Sequence, residues 1–452
     1  MISNQGRRKS GSAIAPQSES PETCIVKASK CSELPKMYQK MLSRTKISHE
    51  NADRNWFLLK KIFLFVHNVR FIESTLDERK GSTELLINPM INLPYLIQGI
   101  KELCKDDQFG KRIPELEQLD KETKHKTRIE DDPIVSAYLH YVDNSWKPCN
   151  LSFINIAAPN YIDVATVTFL NSANPRELFK LSNKATGKGG YGQVFTAKDS
   201  SGNRIAIKKM EHLDPIQSAK NFREVAVMAT LTHPNIVKYY DCFQYGNDLW
   251  VTMELLSGGS LSDMHDIAMF EEDQIAYVAQ ECLQGLHYLH QLGLCHRDIK
   301  PGNVMLTNSG CVKLIDFGLC DSVQSIASNP KMVGSPFWMP PEMIFRTPQT
   351  TKADVWSLGC TLLQLIDPDG FDIGCPLKTL FTVATEGRTK FMLQGKNFSS
   401  NLIHFLECML RRQPHERASV RELLKHPFLS KHVPKECVQP LIDQFAASRH
   451  FC

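Results

Sequence analysis

The eight residues from His296 to Asn303, HRDIKPGN, constrain this chain more than any other stretch. Pro301 and Gly302 oppose helix continuation, so the segment reads as a loop with an unusual backbone. Within it Asp298 stands between Arg297 and Lys300, and Asn303 follows with a side-chain amide. A globular fold gains little from concentrating those groups in one loop unless they have chemistry to perform. Eighteen residues after Asp298 comes Asp316, in KLIDFGLC, a second carboxylate at the end of an apolar run.

Motifs upstream of this loop give it a context. GKGGYGQV, preceded by Thr186, spans Gly187, Lys188, Gly189, Gly190, Tyr191, Gly192, Gln193 and Val194 and fits G-x-G-x-x-G-x-V. Its glycines would let backbone approach phosphates with no Cβ in the way, while Tyr191 caps the turn. TAKD and NRIAIKKM follow as strand-like segments around the turn SSGN. The loop therefore joins two antiparallel strands, unlike the strand-to-helix turn of a dinucleotide site. In IAIK, Lys208 ends an apolar run 21 positions after Gly187, at a distance suited to reaching a nucleotide's phosphates. A buried ammonium needs a partner, and Glu224 on the amphipathic segment SAKNFREVAVMATL supplies one. DLWVTMELLSGGSL reads as a strand running into a hinge. Backbone groups from Glu254 to Leu256 are candidates to bond an adenine edge, with Met253 behind them.

In this setting Asp298 is placed to accept the proton of an incoming hydroxyl or to orient it. Lys300 can neutralise charge on a transferring phosphoryl group, and Asn303 and Asp316 are candidate magnesium ligands. Further on, Glu342 in GSPFWMPPE and Arg417 in QPHERAS are expected to form a buried ion pair, and ADVWSLG to begin a buried helix.

Together these residues resemble the eukaryotic protein kinases over residues 176 to 430. Lys300, two residues after Asp298, is similar to the serine/threonine class. DLWVTMELLSGGSLSD, MVGSPFWM and CPLKTLFTVATEG are similar to the Sterile-twenty kinases, most closely the PAK-type branch. The resemblance implies an α+β, two-lobed fold: a small antiparallel β lobe with one helix, and a mainly α large lobe. It also implies ATP and Mg2+ as cofactors, protein substrates, and contact of Ser335 with Asp298 and Lys300. A pseudokinase scaffold is the alternative reading, although Lys208, Glu224, Asp298, Asn303 and Asp316 are all retained.

Several positions depart from that pattern. Lys331 stands where the PAK pattern has a phosphorylatable threonine before MVG; the phosphate there would pair with Arg297. Loop control is then expected from Ser322, Ser325 or Ser328, from a partner, or not at all. KISHENADRNW begins with the Ile47-Ser48 of a Rac-binding motif but lacks its proline, so the sequence makes no case for GTPase binding. Pro340 replaces the alanine of A-P-E, and Gln413 stands where aspartate is common.

Outside the motif region the sequence says less. Residues 1–36, rich in Ser, Pro, Gln and Lys, read as a disordered tail; Arg7-Arg8-Lys9-Ser10 within it reads as a solvated charge run. Residues 37–175 form an unassigned region, a candidate contact for a regulatory protein, and 431–452 a C-terminal tail. In the unassigned region NWFLLKKIFLFVHNV fits a strand or a short helix. LPYLIQGIKELC and DPIVSAYLHYV have helical patterns, and NLSFINIAA and YIDVATVTFL read as strands. A formal charge of +4 over 452 residues gives no case for nucleic acid. The start lacks the apolar core of a leader, and the longest greasy run is too short for a membrane span. Fourteen scattered cysteines suit buried thiols in a reducing compartment. The expected location is the cytoplasm, with the nucleus a second candidate.

Overall fold

The computed structural model describes residues 30–66 and 170–449, apart from 31–32, 35, 46, 64, 172, 186, 190–191, 212–214, 368–370, 372, 389–397 and 432. The patterns read at LPYLIQGIKELC, DPIVSAYLHYV and NLSFINIAA lie outside the described residues, as do Thr186, Gly190 and Tyr191. Contacts divide the chain into two units, residues 1–81 with 375–381 and residues 82–374 with 382–452.

In the first unit, α1 (Lys36–Arg44) and α2 (His49–Arg54) precede a third helix, α3 (residues 56–66). In its described residues, 56–63 and 65–66, the stretch that fits a strand or a helix is thus a helix. Leu58, Leu59, Ile62, Phe63 and Val66 are buried, at spacings that place them on one helical face. Lys60 and Lys61 reach back one turn to lie over the Trp56 and Phe57 rings. KISHENADRNW forms α2 and its flanks, with the Ser48 side chain accepting the Asn51 amide as an N-cap.

The second unit begins with β1 (Leu170–Asn171), the last residue of YIDVATVTFL and its neighbour, and a short helix α4 (Pro175–Leu178). Then come β2 (Lys180–Leu181), β3 (Gly187–Gly189), β4 (Gly192–Lys198), β5 (Arg204–Glu211), the helix α5 (Pro215–Thr230), β6 (Tyr239–Tyr245) and β7 (Asp248–Glu254). Their sheet runs β1-β6-β7-β5-β4-β2, with β3 paired to β4. All pairs are antiparallel except β1 with β6. The glycine motif is the β3–β4 hairpin, with Gly189 opposite Gly192. Gly192 is obligatory there, because a Cβ would stand 2.3 Å from the Lys209 carbonyl oxygen. Strand alternation sends Ile205 and Ile207 into a core with Ala197, Phe243 and Trp250, and Lys208 to the opposite face.

The second part of this unit is mainly helical. After β8 (Gly259–Ser260) come α6 (Leu261–His265), α7 (Glu272–Gln291), β9 (Leu294–Cys295), a 3-10 turn at Pro301–Asn303, β10 (Val304–Leu306), β11 (Val312–Leu314), β12 (Asp321–Ser322), α8 (Val323–Ser328), α9 (Pro341–Phe345), α10 (Lys352–Ile366), α11 (Pro376–Glu386, whose residues 376–381 fall in the first unit), α12 (Ser400–Met409), α13 (Val420–Leu423) and α14 (Gln439–Arg449). ADVWSLG starts α10, every residue of which from Ala353 to Ile366 is buried. The segment read as a C-terminal tail contains α14, whose Leu441, Ile442 and Phe445 are buried. Phe445 lies where a Cβ on Gly259 would be, 2.7 Å from its ring, and Gly259 has φ +95°.

Candidate active site

Chain turns with costly backbone place the charged groups of HRDIKPGN. Arg297 adopts φ +68° and Asp316 φ +65°, left-handed conformations that cost a non-glycine residue roughly 1 kcal/mol or more. The first is held by Asp354 of α10, whose Oδ2 accepts the His296 amide at 2.9 Å and whose Oδ1 accepts the Arg297 amide at 2.8 Å. Burial pushes the Asp354 carboxyl up, but the His290 hydrogen bond, nearby histidines and the Arg297 amide outweigh it and keep the group low. His296 Nε2 lies 3.0 Å from the Ile315 carbonyl oxygen and its ring packs on Phe317, which joins the two strained turns.

Asp298 is anchored on both oxygens. Oδ2 accepts Lys300 Nζ at 2.9 Å and Asn303 Nδ2 at 2.9 Å; Oδ1 accepts the Ser335 amide at 2.9 Å. Lys300 Nζ also donates to Ser335 Oγ at 2.8 Å. Because Asn303 Nδ2 faces two acceptors, the Asp298 carbonyl and carboxylate, its amide oxygen must point away from them. That oxygen and Asp316 form a donor set suited to a hard divalent cation. Asp316 Oδ1 is buried and accepts no hydrogen bond from the described residues, and Lys208 Nζ is 3.7 Å from it. Burial raises the Asp316 carboxyl, but Lys208, His296 and Lys300 together bring it below its ordinary value. The residues present therefore fit magnesium.

Lys208 and Glu224 meet at 2.5 Å, joining β5 to α5 as their motifs implied. Burial lifts the Glu224 carboxyl above its ordinary value; Lys208 opposes this and Asp316 reinforces it. At the hinge, the Glu254 amide donates to the Lys238 carbonyl at 2.9 Å, and its carboxylate binds the Lys238 amide and Lys313. A ligand edge there must use the Glu254 carbonyl, not its N–H. Leu256 is half-buried in the connection to β8, and Met253 is buried in β7. Gly187, Lys188 and Gly189 form β3, opposite Val194, Gln193 and Gly192 of β4. Glu342 and Arg417 form the expected buried pair, at 2.8 and 3.1 Å.

The protein kinase domain family profile matches residues 181–429, more than half of the chain. The chain belongs to the protein kinase domain family. Among curated proteins, the kinase is 43% identical over 272 residues to the probable serine/threonine-protein kinase mkcB of Dictyostelium discoideum, covering 60% of this chain and 38% of that one. It is 38% identical over 276 residues to the serine/threonine-protein kinase PAK mbt of Drosophila melanogaster, covering 60% and 43%. With the serine/threonine-protein kinase ste20 of Emericella nidulans it shares 38% over 297 residues, covering 64% and 35%. Over these matches the chain is similar to kinases of Ste20 and PAK type, and it spans about two fifths of the length of these relatives.

Two features of the kinase escaped the motifs. Asp321 is buried between Arg223 and Arg297, although in the sequence it looks like an ordinary loop residue. His404 and Cys408, four apart on α12, converge with His426 so that their donor atoms lie within 4.8 Å. His426 Nδ1 accepts the Phe428 amide at 3.1 Å, which leaves the neutral ring's proton on Nε2, 2.8 Å from His404 Nδ1.

Proposed function

We propose that this chain is an active serine/threonine protein kinase that moves the γ-phosphoryl group of ATP to hydroxyls of protein substrates in intracellular signalling. The observation that carries the reading is the anchored Asp298. Lys300, Asn303 and the Ser335 amide fix its carboxylate, while Oδ1 retains a lone pair for a hydroxyl proton. Lys300 stands beside it to balance charge at the reacting end. Lys208, oriented by Glu224, is the donor for the phosphate oxygens of the nucleotide. Asn303 and Asp316 would hold Mg2+, which when bound neutralises charge on the phosphates. Positioning and charge stabilisation supply most of the acceleration in such a site. The unpaired thiols among the described cysteines suit the cytoplasm.

The test is transfer from labelled ATP to a generic basic protein. Asp298→Asn should lower kcat by about 10²–10⁴-fold, because an amide cannot take the hydroxyl proton. ATP affinity, measured by calorimetry, should stay within about threefold of the parent, because Asp298 acts on the hydroxyl. Near-parental transfer by the variant would overturn the reading.

A further inference from the structure

One buried carboxylate lies among the cations of the segment that follows Asp316. Asp321 opens β12, opposite Cys295 of β9, and only 6% of it is exposed. Its Oδ2 lies 3.2 Å from Arg297 Nη2, and its Oδ1 lies 2.5 Å from Arg223 Nη2. Arg297 precedes Asp298 in the catalytic turn, and Arg223 precedes Glu224 on α5. The same guanidinium groups are bound to the backbone next to Asp321: Arg297 Nε donates to the Leu319 carbonyl at 2.7 Å and Arg223 to the Cys320 carbonyl at 3.3 Å.

Lys331, exposed at the surface, lies within electrostatic reach of this cluster: desolvation of part of its side chain lowers its ammonium, Asp321 opposes that, and Arg223, Arg297 and Lys220 add to it. The loop serines serve local structure instead. Ser322 Oγ caps α8 by accepting the Ser325 amide at 3.1 Å, and Ser328 Oγ donates to the Gln324 carbonyl. Arg297, itself buried, would be an uncompensated charge without a carboxylate here.

We propose that Asp321 is an anion built into the sequence that does the work of a loop phosphate, positioning Arg297 and Arg223 and, through them, Asp298 and Glu224. It touches no substrate, so it is a positioning residue. The proposal rests on the kinase reading above, which it deepens by stating how the site is held ready. Lys331, at the position where a phosphate would be attached, then adds a further cation near that carboxylate.

The experiment uses the full chain, phosphatase-treated, with Asp321→Asn, Asp321→Glu and the double variant Asp321→Asn/Lys331→Glu. Phosphatase-treated parent protein should keep its activity. Asp321→Asn should lose roughly tenfold in kcat, a size common for couplings of this kind, with KM for ATP within about twofold. Asp321→Glu and the double variant should regain most of the loss, because either returns an anion to the two guanidinium groups. Hydrogen exchange gives a readout that needs no catalysis. Asp321→Asn should speed exchange in α5 and in residues 296–300, and Lys331→Glu should slow it again. Parental kcat and exchange in Asp321→Asn would overturn the proposal. So would a loss that neither rescue variant repairs, or a parent protein silenced by phosphatase. Should the parent transfer no phosphate at all, the function fails on that arm, and exchange alone decides the inference.

Discussion

At the scale of single residues, the ion pair of Lys208 and Glu224 makes a pH-dependent prediction. Glu224 is 3% exposed, so removing the lysine leaves a buried carboxylate without its cation. Lys208→Met should cost about 3 kcal/mol at neutral pH, measured by urea unfolding. The folded Glu224 carboxyl already lies above its ordinary value, and the variant lifts it further. A raised carboxyl binds its proton more readily in the folded state. The deficit should therefore be largest above that raised value and shrink as pH falls towards the ordinary carboxylate range. A deficit that stayed constant between pH 7 and pH 4.5 would contradict this origin. The residues of the candidate site could be picked out because each motif combines a residue type with a backbone peculiarity. Asp321 was not legible, because its meaning lies in a contact with Arg223, far away in sequence, and no local pattern announces that.

At the scale of elements, legibility followed periodicity and turn chemistry. The glycine hairpin was readable from its flanking strands, and Gly192 explains why the loop tolerates no side chain at that point. NWFLLKKIFLFVHNV was ambiguous because its apolar residues are dense enough to satisfy both periods. Burial at 58, 59, 62, 63 and 66 resolves it as a helix. The helix α14 went unread because QPLIDQFAASR offers few apolar residues, and its partner surface is supplied by β8 and α6. Its docking can be tested at one contact. Phe445→Ala should destabilise by about 3 kcal/mol through the cavity it leaves. Gly259→Ala should cost about 2 kcal/mol from its backbone φ of +95° and from overlap with the Phe445 ring. In thermal or chemical unfolding the double variant should lose clearly less than both together, since removing the ring relieves the overlap. Pro340, unexpected from the family pattern, has φ −76°, within the range its ring imposes, and starts α9 with Pro341.

Across the whole molecule, the site is assembled from groups scattered between residues 187 and 335, and the resemblance to kinases made that assembly foreseeable. Long-range ties keep the assembly in place. Arg417 is fully buried, forks onto Glu342, donates to the Lys352 carbonyl at 2.6 Å and lies over the Trp356 ring. Arg417→Leu should cost about 4 kcal/mol, because it strands the Glu342 carboxylate. Adding Glu342→Gln should recover part of that, which a double-mutant cycle in chemical unfolding would show. The pair was readable from two motifs far apart; β1 and α14 lie outside the span 176–430 over which the motifs run.

The carboxylate at position 321 bears on time as well as geometry. A phosphate is a record: it marks that an upstream event took place, and it lasts until another enzyme erases it. An aspartate keeps no history. Under the proposal for Asp321, a kinase whose loop is charged by its own gene would be ready when it folds. Its output then follows how many copies are made, how long they last and where they are kept, so a cell would govern it through synthesis and destruction.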